Sequence, residues 1–215
     1  AFEQGITTLR DLISPSSIEI QSDHFRLGTK YGRTIYVYGY PRTLSTGWLS
    51  PLINIDEVLD ISIYIYPVDT TVVMKNLRKK VTQLEADISL NAEKGRIRNP
   101  ETDAAIQDAE ELRDQLQLGY EKFFRFGLYV TLWADSLDEL NYVQHKIETM
   151  FGQLMIFSKV ATSQQEQGMN TTMPMATDQL QIRRNMNTSA ISTSFPFTSA
   201  DLTQERGILY GVNMH

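Results

Sequence analysis

The sequence predicts an α+β fold, a mostly antiparallel sheet with a packed helix and an inserted antiparallel coiled-coil helix hairpin. Three patterns carry that expectation. Runs that alternate β-branched or aromatic residues with others stand on both sides of residues 70–123, which is the signature of half-buried strands. Between them lie two long segments with apolar residues at a and d spacing. A capped amphipathic helix then follows the second alternating run.

In chain order, Ile18 and Ile20, then Phe25 and Leu27, alternate with polar residues around a turn at Ser22-Asp23. Gly28 and Gly32 bracket a second turn. Residues 34–40 follow as a strand, with Ile35, Val37 and Gly39 on one side and Tyr36, Tyr38 and Tyr40 on the other. Pro41, which cannot donate to a ladder, ends it. Residues 48–53 read as a helical turn.

Residues 59–67 form the next strand, with Ile61, Ile63 and Ile65 on one face and Ser62, Tyr64 and Tyr66 on the other. Asp69 or Thr70 can accept a bond from a free amide and start a helix running to about Lys94. Its stripe is Leu77, Val81, Leu84 and Ile88. Gly95 is a stop signal and Pro100 opens a second helix with Ala105, Ala109, Leu112, Leu116 and Phe123 in its seam. Two narrow seams joined by a short loop predict a hairpin over 70–123, each arm roughly 35 Å long at 1.5 Å per residue. Since a hairpin returns the chain to where it left the sheet, the strands at Leu59 and Phe124 should run antiparallel if they are neighbours.

In the following strand Phe124, Phe126, Leu128, Val130 and Leu132 alternate with Arg125, Gly127, Tyr129, Thr131 and Trp133. Ser136-Leu137-Asp138-Glu139 is a capping box, and Leu137, Leu140, Val143, Ile147 and Met150 or Phe151 give that helix its buried face. Gly152 should stop it before a strand at 154–160. From Ala161 the composition turns to Ser, Thr, Asn, Gln and Met, with Arg183 and Arg184 its only basic residues as far as Gln204. It keeps Leu180, Ile182, Ile191, Phe195 and Phe197, so it reads as a covering segment with short helices. Residues 206–214 regain strand character. The expected division is 1–160 as the α+β unit and 161–215 as the polar covering segment and strand.

Composition narrows the function classes. With 215 residues, 41% hydrophobic and 21% charged, the chain can bury a core without staples. The absence of cysteine excludes disulfides, thiolate zinc sites and a cysteine nucleophile. A net charge of −6 argues against a general nucleic-acid coat. No apolar run reaches the roughly 20 residues of a membrane span. The start at Ala1 has neither an initiator methionine nor the pattern of a signal peptide, and reads as a trimmed end.

No catalytic motif emerges. His24, His145 and His215 lack partners at metal-ligand spacing, and no G-x-S-x-G, H-E-x-x-H or phosphate-cradling Gly-Lys-Ser/Thr pattern occurs. The residues 28–32 resemble a phosphate loop only superficially and read as a hairpin turn. Catalytic, cofactor and metal residues are therefore expected to be none. The candidate partner contacts are Trp48, Lys75, Arg78, Lys79, Lys80, Trp133, Met173 and Met175. The basic cluster could meet phosphate, acidic lipid or an acidic partner, or it could be a solvated coiled-coil face paired with Glu85 or the acidic second arm, the reading favoured here. The methionines, with Met169 and Met186, could form an adaptable surface or fill gaps. The two tryptophans could anchor an interface or pack the edge of the core.

Several short stretches in fixed order carry a family resemblance: Asp11-Leu12-Ile13-Ser14-Pro15, Tyr40-Pro41-Arg42 with Gly47-Trp48, and Asn76-Leu77-Arg78-Lys79-Lys80. They continue with Arg125-Phe126-Gly127-Leu128-Tyr129, Ser194-Phe195-Pro196-Phe197 and Gly207-Ile208-Leu209-Tyr210-Gly211-Val212-Asn213. The collinear set resembles the N-terminal region of the type IV secretion and conjugation ATPases, the VirB/TrbE/CagE/TraC-like group, in the form found in Gram-positive mobile elements. In that family a RecA-like motor with its ATP and magnesium site follows, and this chain carries no such motif. The resemblance implies an oligomerising protein at the cytoplasmic face of the membrane that docks on other secretion components, with nucleic acid a less favoured partner. A stand-alone nucleic-acid-binding or coiled-coil adaptor module is the alternative.

Overall fold

The computed structural model describes residues 17–93 and 100–196. In order they form β1 (Ile18–Ile20), β2 (Phe25–Leu27), β3 (Lys30–Gly39), α1 (Ser50–Ile53), β4 (Leu59–Val68), α2 (Thr70–Glu93) and α3 (Pro100–Leu118). Then come β5 (Phe123–Ala134), α4 (Leu137–Gln153), β6 (Phe157–Val160), α5 (Gln165–Thr172), β7 (Arg184–Asn187) and α6 (Thr188–Ser192). The strands make one sheet in the order β1-β2-β3-β5-β4, with β6 also on β3 and β7 also on β5. Every pairing is antiparallel. The architecture is α+β with a mostly antiparallel sheet, as the alternating runs predicted.

β4 and β5 are neighbours in unbroken register, from Leu59 opposite Leu132 to Val68 opposite Phe123. The two helices between them therefore leave and rejoin the sheet at paired positions. Ile35 and Val37, Phe126, Leu128, Val130 and Leu132 meet Leu140, Val143, Ile147 and Phe151 of α4 and Leu52 of α1 in the main core. Each such side chain contributes about 1.5–3 kcal/mol when removed from water. Ser136 caps α4 by accepting from the Glu139 amide at 3.2 Å, while the Glu139 carboxylate accepts from Asp135 rather than closing the box on Ser136.

The other face of the sheet is covered by α5 and residues 173–183. Here Tyr36, Tyr64 and Tyr129 pack with Ala161, Leu180 and Ile182. Beneath α5 lies a polar layer in which the hydroxyls of Thr34, Thr131 and Thr172 follow one another at 2.7 Å. Gln165 accepts from the Thr34 amide at 2.9 Å and donates to the Thr34 and Ala161 carbonyls, so its side chain extends the ladder beyond β6. Burial of these groups is tolerable because each has a partner.

Arg33 is the charged counterpart on the main-core face. Its guanidinium, 5% exposed, donates to the Asp23 carbonyl and carboxylate and to Asn141 and Gln144 of α4. The hydrogen bond to His24, then the Arg33 charge, hold the Asp23 carboxyl below the usual aspartate value. A depressed folded value means the stabilisation is fully present above about pH 4 and is lost as pH falls through that lower value. Asp23→Asn is accordingly expected to cost about 1 kcal/mol or less near pH 7, the half-exposed carboxylate being screened. In thermal melts across pH, the gap to the parent should close in acid. A gap independent of pH would contradict the Asp23 assignment.

The structure corrects several local expectations. Phe123 belongs to β5 rather than to a helix seam, because α3 ends at Leu118 and Gly119 takes a φ of 78°. Ala105 is exposed, while Ala109 and Leu116 are buried and Leu112 half-buried. Tyr40 lies in the main core rather than with Tyr36 and Tyr38, since the register of β3 against β6 shifts between Val37 and Gly39. Gly152 is inside α4, and the left-handed residue that follows the helix is Met155. The covering segment contributes a strand, β7, which its polar composition concealed. Gly95, Phe197 and residues 206–214 lie outside the described residues.

Candidate functional site

α2 carries its half-buried residues at Leu77, Val81, Leu84 and Ile88, facing α3, and Val73 at its base is buried. An Asp69 oxygen accepts from the Thr71 amide at 2.7 Å and sets the start of the helix. The opposite side of α2 is solvent. Lys75, Arg78, Lys79 and Lys80 are all exposed, and no ion pair among the described residues holds any of them. The expected pairing with Glu85 or the acidic α3 is absent there. The acidic arm is instead tied elsewhere: Asp108 pairs with Arg42, which links α3 to the loop after β3.

Beside that link, the end of β3 diverges from β5 and β7 pairs with β5 in its place. A groove of about 650 Å³ opens there, lined among others by Tyr38, Arg42, Leu112, Arg184 and Asn187. Arg184 Nε donates to the Tyr38 carbonyl across the split. Tyr40 is stacked edge-on against Trp48 and Phe126, and burial pushes its hydroxyl well above the ordinary tyrosine value. The sequence signal for this groove was the isolated Arg183-Arg184 pair in an otherwise uncharged stretch.

The remaining predicted contacts separate. Trp48 is 3% exposed and sits in the main core, so it presents no surface in this chain. Trp133 is half-buried, donates to Asp60 at 2.6 Å and stands edge-on to Phe25 at 5.3 Å. It lines a second groove of about 610 Å³ together with Asp56, Glu57, Asp135 and Glu139. Met175 is exposed, Met173 walls a groove beside β4, and Met169 and Met186 fill buried space.

Sequence reasoning missed Asp178. Its carboxylate is 1% exposed, accepts from Arg183 Nε at 2.7 Å and from the Gln181 amide at 2.8 Å. Arg183 in turn stacks on the Tyr66 ring at 3.9 Å. Burial and then the Asp178 carboxylate push the Tyr129 hydroxyl above its ordinary value, and that hydroxyl donates to the Ile182 carbonyl at 2.9 Å. This cluster fastens residues 178–183 to the sheet. Among the described residues no three metal-ligating side chains gather, and no helix is long and apolar enough to cross a membrane.

Fold and surface together define a class: an antiparallel α+β domain that displays two long helices from the end of one strand pair. No protein-family model matches this chain, and no curated protein matches it.

Proposed function

We propose that this chain is the non-catalytic N-terminal assembly and docking domain of a conjugative type IV secretion ATPase that powers DNA or protein transfer. In this reading α2 and α3 form an antiparallel coiled-coil hairpin that carries the contacts, and ATP and magnesium belong to a motor domain encoded downstream. The domain works at the cytoplasmic face of the membrane, against other secretion components and other copies of itself. The observation that carries the reading is the exposed group Lys75, Arg78, Lys79 and Lys80, without an ion-pair partner among the described residues, on a helix inserted between paired strands. The collinear stretches add support: Trp48 lies in the main core and residues 125–129 in β5.

The first test is the coding sequence beyond His215. A G-x-x-x-x-G-K-[ST] pattern within roughly 40 residues is expected, because that turn cradles nucleotide phosphates. A stop codon there would remove the motor reading. The second test reverses Lys75, Arg78, Lys79 and Lys80 to Glu. Stability should stay within about 0.5 kcal/mol per site, as for exposed positions, whereas capture of acidic secretion components should fall about tenfold or more. Equal capture would exclude the cluster as the docking site.

The same exposed cations favour one second reading, a nucleic-acid-binding module. Four phosphate contacts predict roughly a hundredfold weaker binding between 50 and 200 mM salt. Filter binding at those two concentrations decides it, and no binding at the lower one removes it.

A further inference from the structure

β4 is an edge strand: among the described residues its one strand partner is β5, across all ten positions. Long edges are ordinarily blunted by lysine, proline, a bulge or brevity. The β4 register is unbroken, its one charge, Asp60, stands near one end and Pro67 near the other. Residues 61–66, Ile-Ser-Ile-Tyr-Ile-Tyr, have no charge, glycine or proline. A bare run of this type collects other strands indiscriminately unless a specific one covers it. Alongside it Met173, Pro174 and Ala176 wall a groove of about 540 Å³.

We propose that the strand covering β4 is β4 of a second copy, paired antiparallel about a two-fold axis at Ile63, so that one sheet runs through a dimer. An axis normal to the sheet keeps the faces aligned and sets Ile61 opposite Ile65 of the second copy, Ser62 opposite Tyr64 and Asp60 opposite Tyr66. Register follows from charge. Arg183, whose Nε is held by Asp178, lies over Tyr66 with its side chain still partly exposed, and Asp60 gives one carboxylate oxygen to Trp133. This alignment therefore brings the second Asp60 oxygen of each copy beside the outer guanidinium nitrogens of the other, twice by symmetry. Moving the axis to Ser62 or Tyr64 would set Asp60 against Tyr64 or Val68, away from that cation. Pro67, without an N–H, falls opposite Leu59 at the margin, where a ladder bond matters least. Met173 stands at the lip as an adaptable contact for the incoming strand.

The pairing does not rest on the secretion reading. A monomeric chain would remove it and leave the docking role standing, and a dimer alone does not identify a secretion motor. The experiment is sedimentation equilibrium of the full chain at micromolar concentrations, where twice the 24.6 kDa chain mass is expected. Ile65→Lys should raise the dimer dissociation constant about tenfold or more, because it enters the interface twice. If that variant loses the native circular dichroism, Asp60→Lys, at an exposed position, gives the same readout. The chain has no cysteine, so Ile63→Cys places a single thiol on the axis, and a short bis-maleimide should join two copies there. Tyr142→Cys, exposed on α4, should not be joined. A monomer at every concentration, which would mean that another segment or a foreign strand covers β4, overturns the proposal. So does a dimer indifferent to the β4 substitutions, or one joined at position 142 rather than 63.

Discussion

Gly168→Ala is expected to lift α5 from the sheet and cost about 2–3 kcal/mol, even though alanine favours a helix by about 1 kcal/mol. A Cβ at Gly168 would lie 2.6 Å from Thr34 Cβ and 2.8 Å from both Cγ2 and Oγ1. Thr34 cannot move aside. It is fully buried in β3, its amide is bonded to Gln165, and its hydroxyl to Thr131. Retreat of α5 would break the Thr131–Thr172 bond and the Gln165 contacts, each worth about 1 kcal/mol net. At roughly 2–4 °C per kcal/mol for a chain of this size, the melting temperature should fall by about 5–10 °C. An unchanged or raised melting temperature would mean that α5 is not seated on Thr34.

Phe126→Ala should cost more, about 3–5 kcal/mol, the range for emptying a buried phenylalanine site. The ring is 1% exposed, stands edge-on to Tyr40 at 6.0 Å, and belongs to a position of β5 paired on both sides, opposite Ile65 on one and Arg184 on the other. Strands hydrogen-bonded on both sides cannot close on the void, so most of its cost persists. Urea unfolding should show a lower midpoint with an unchanged slope, the sign of lost stability without a change of compactness. Tyr120→Ala, at a position 78% exposed, serves as the comparison and should stay within about 0.5 kcal/mol. Similar losses in the two variants would contradict the placement of the core.

The strands that alternated most cleanly, β3, β4 and β5, were legible because a half-buried strand imposes a period of two on its own sequence. The stripe of α2 and the cap of α4 were legible for the same local reason. β7 was not. Arg184-Asn185-Met186-Asn187 has no alternation of its own and is a strand because β3 and β5 diverge and leave an edge of β5 open to it. Tyr40 was assigned to the wrong face because the shift between Val37 and Gly39 is decided by pairing with β6, a strand more than a hundred residues later.

The candidate contacts divide along the same line. That Lys75, Arg78 and Lys79 share a helix face, with Lys80 at its flank, followed from local spacing, but that no acidic side chain of the described residues answers them depended on how α3 lies. Trp48 and Asp178 show the limit from opposite sides: an indole suited to an interface is in the core, and a carboxylate suited to solvent is buried against Arg183. The sequence by itself determined the alternating strands, the stripe of α2 and the apolar face of α4, and with them the α+β class, since each depends on periodicity within one element. That β4 and β5 are neighbours, and so antiparallel, came from their pairing. Among the described residues, only the tertiary structure decided which strand edge is left without a partner strand, which charges are left without an ion pair and which polar groups are enclosed. Those properties belong to pairs of elements brought together across the chain, and no single segment encodes its partner.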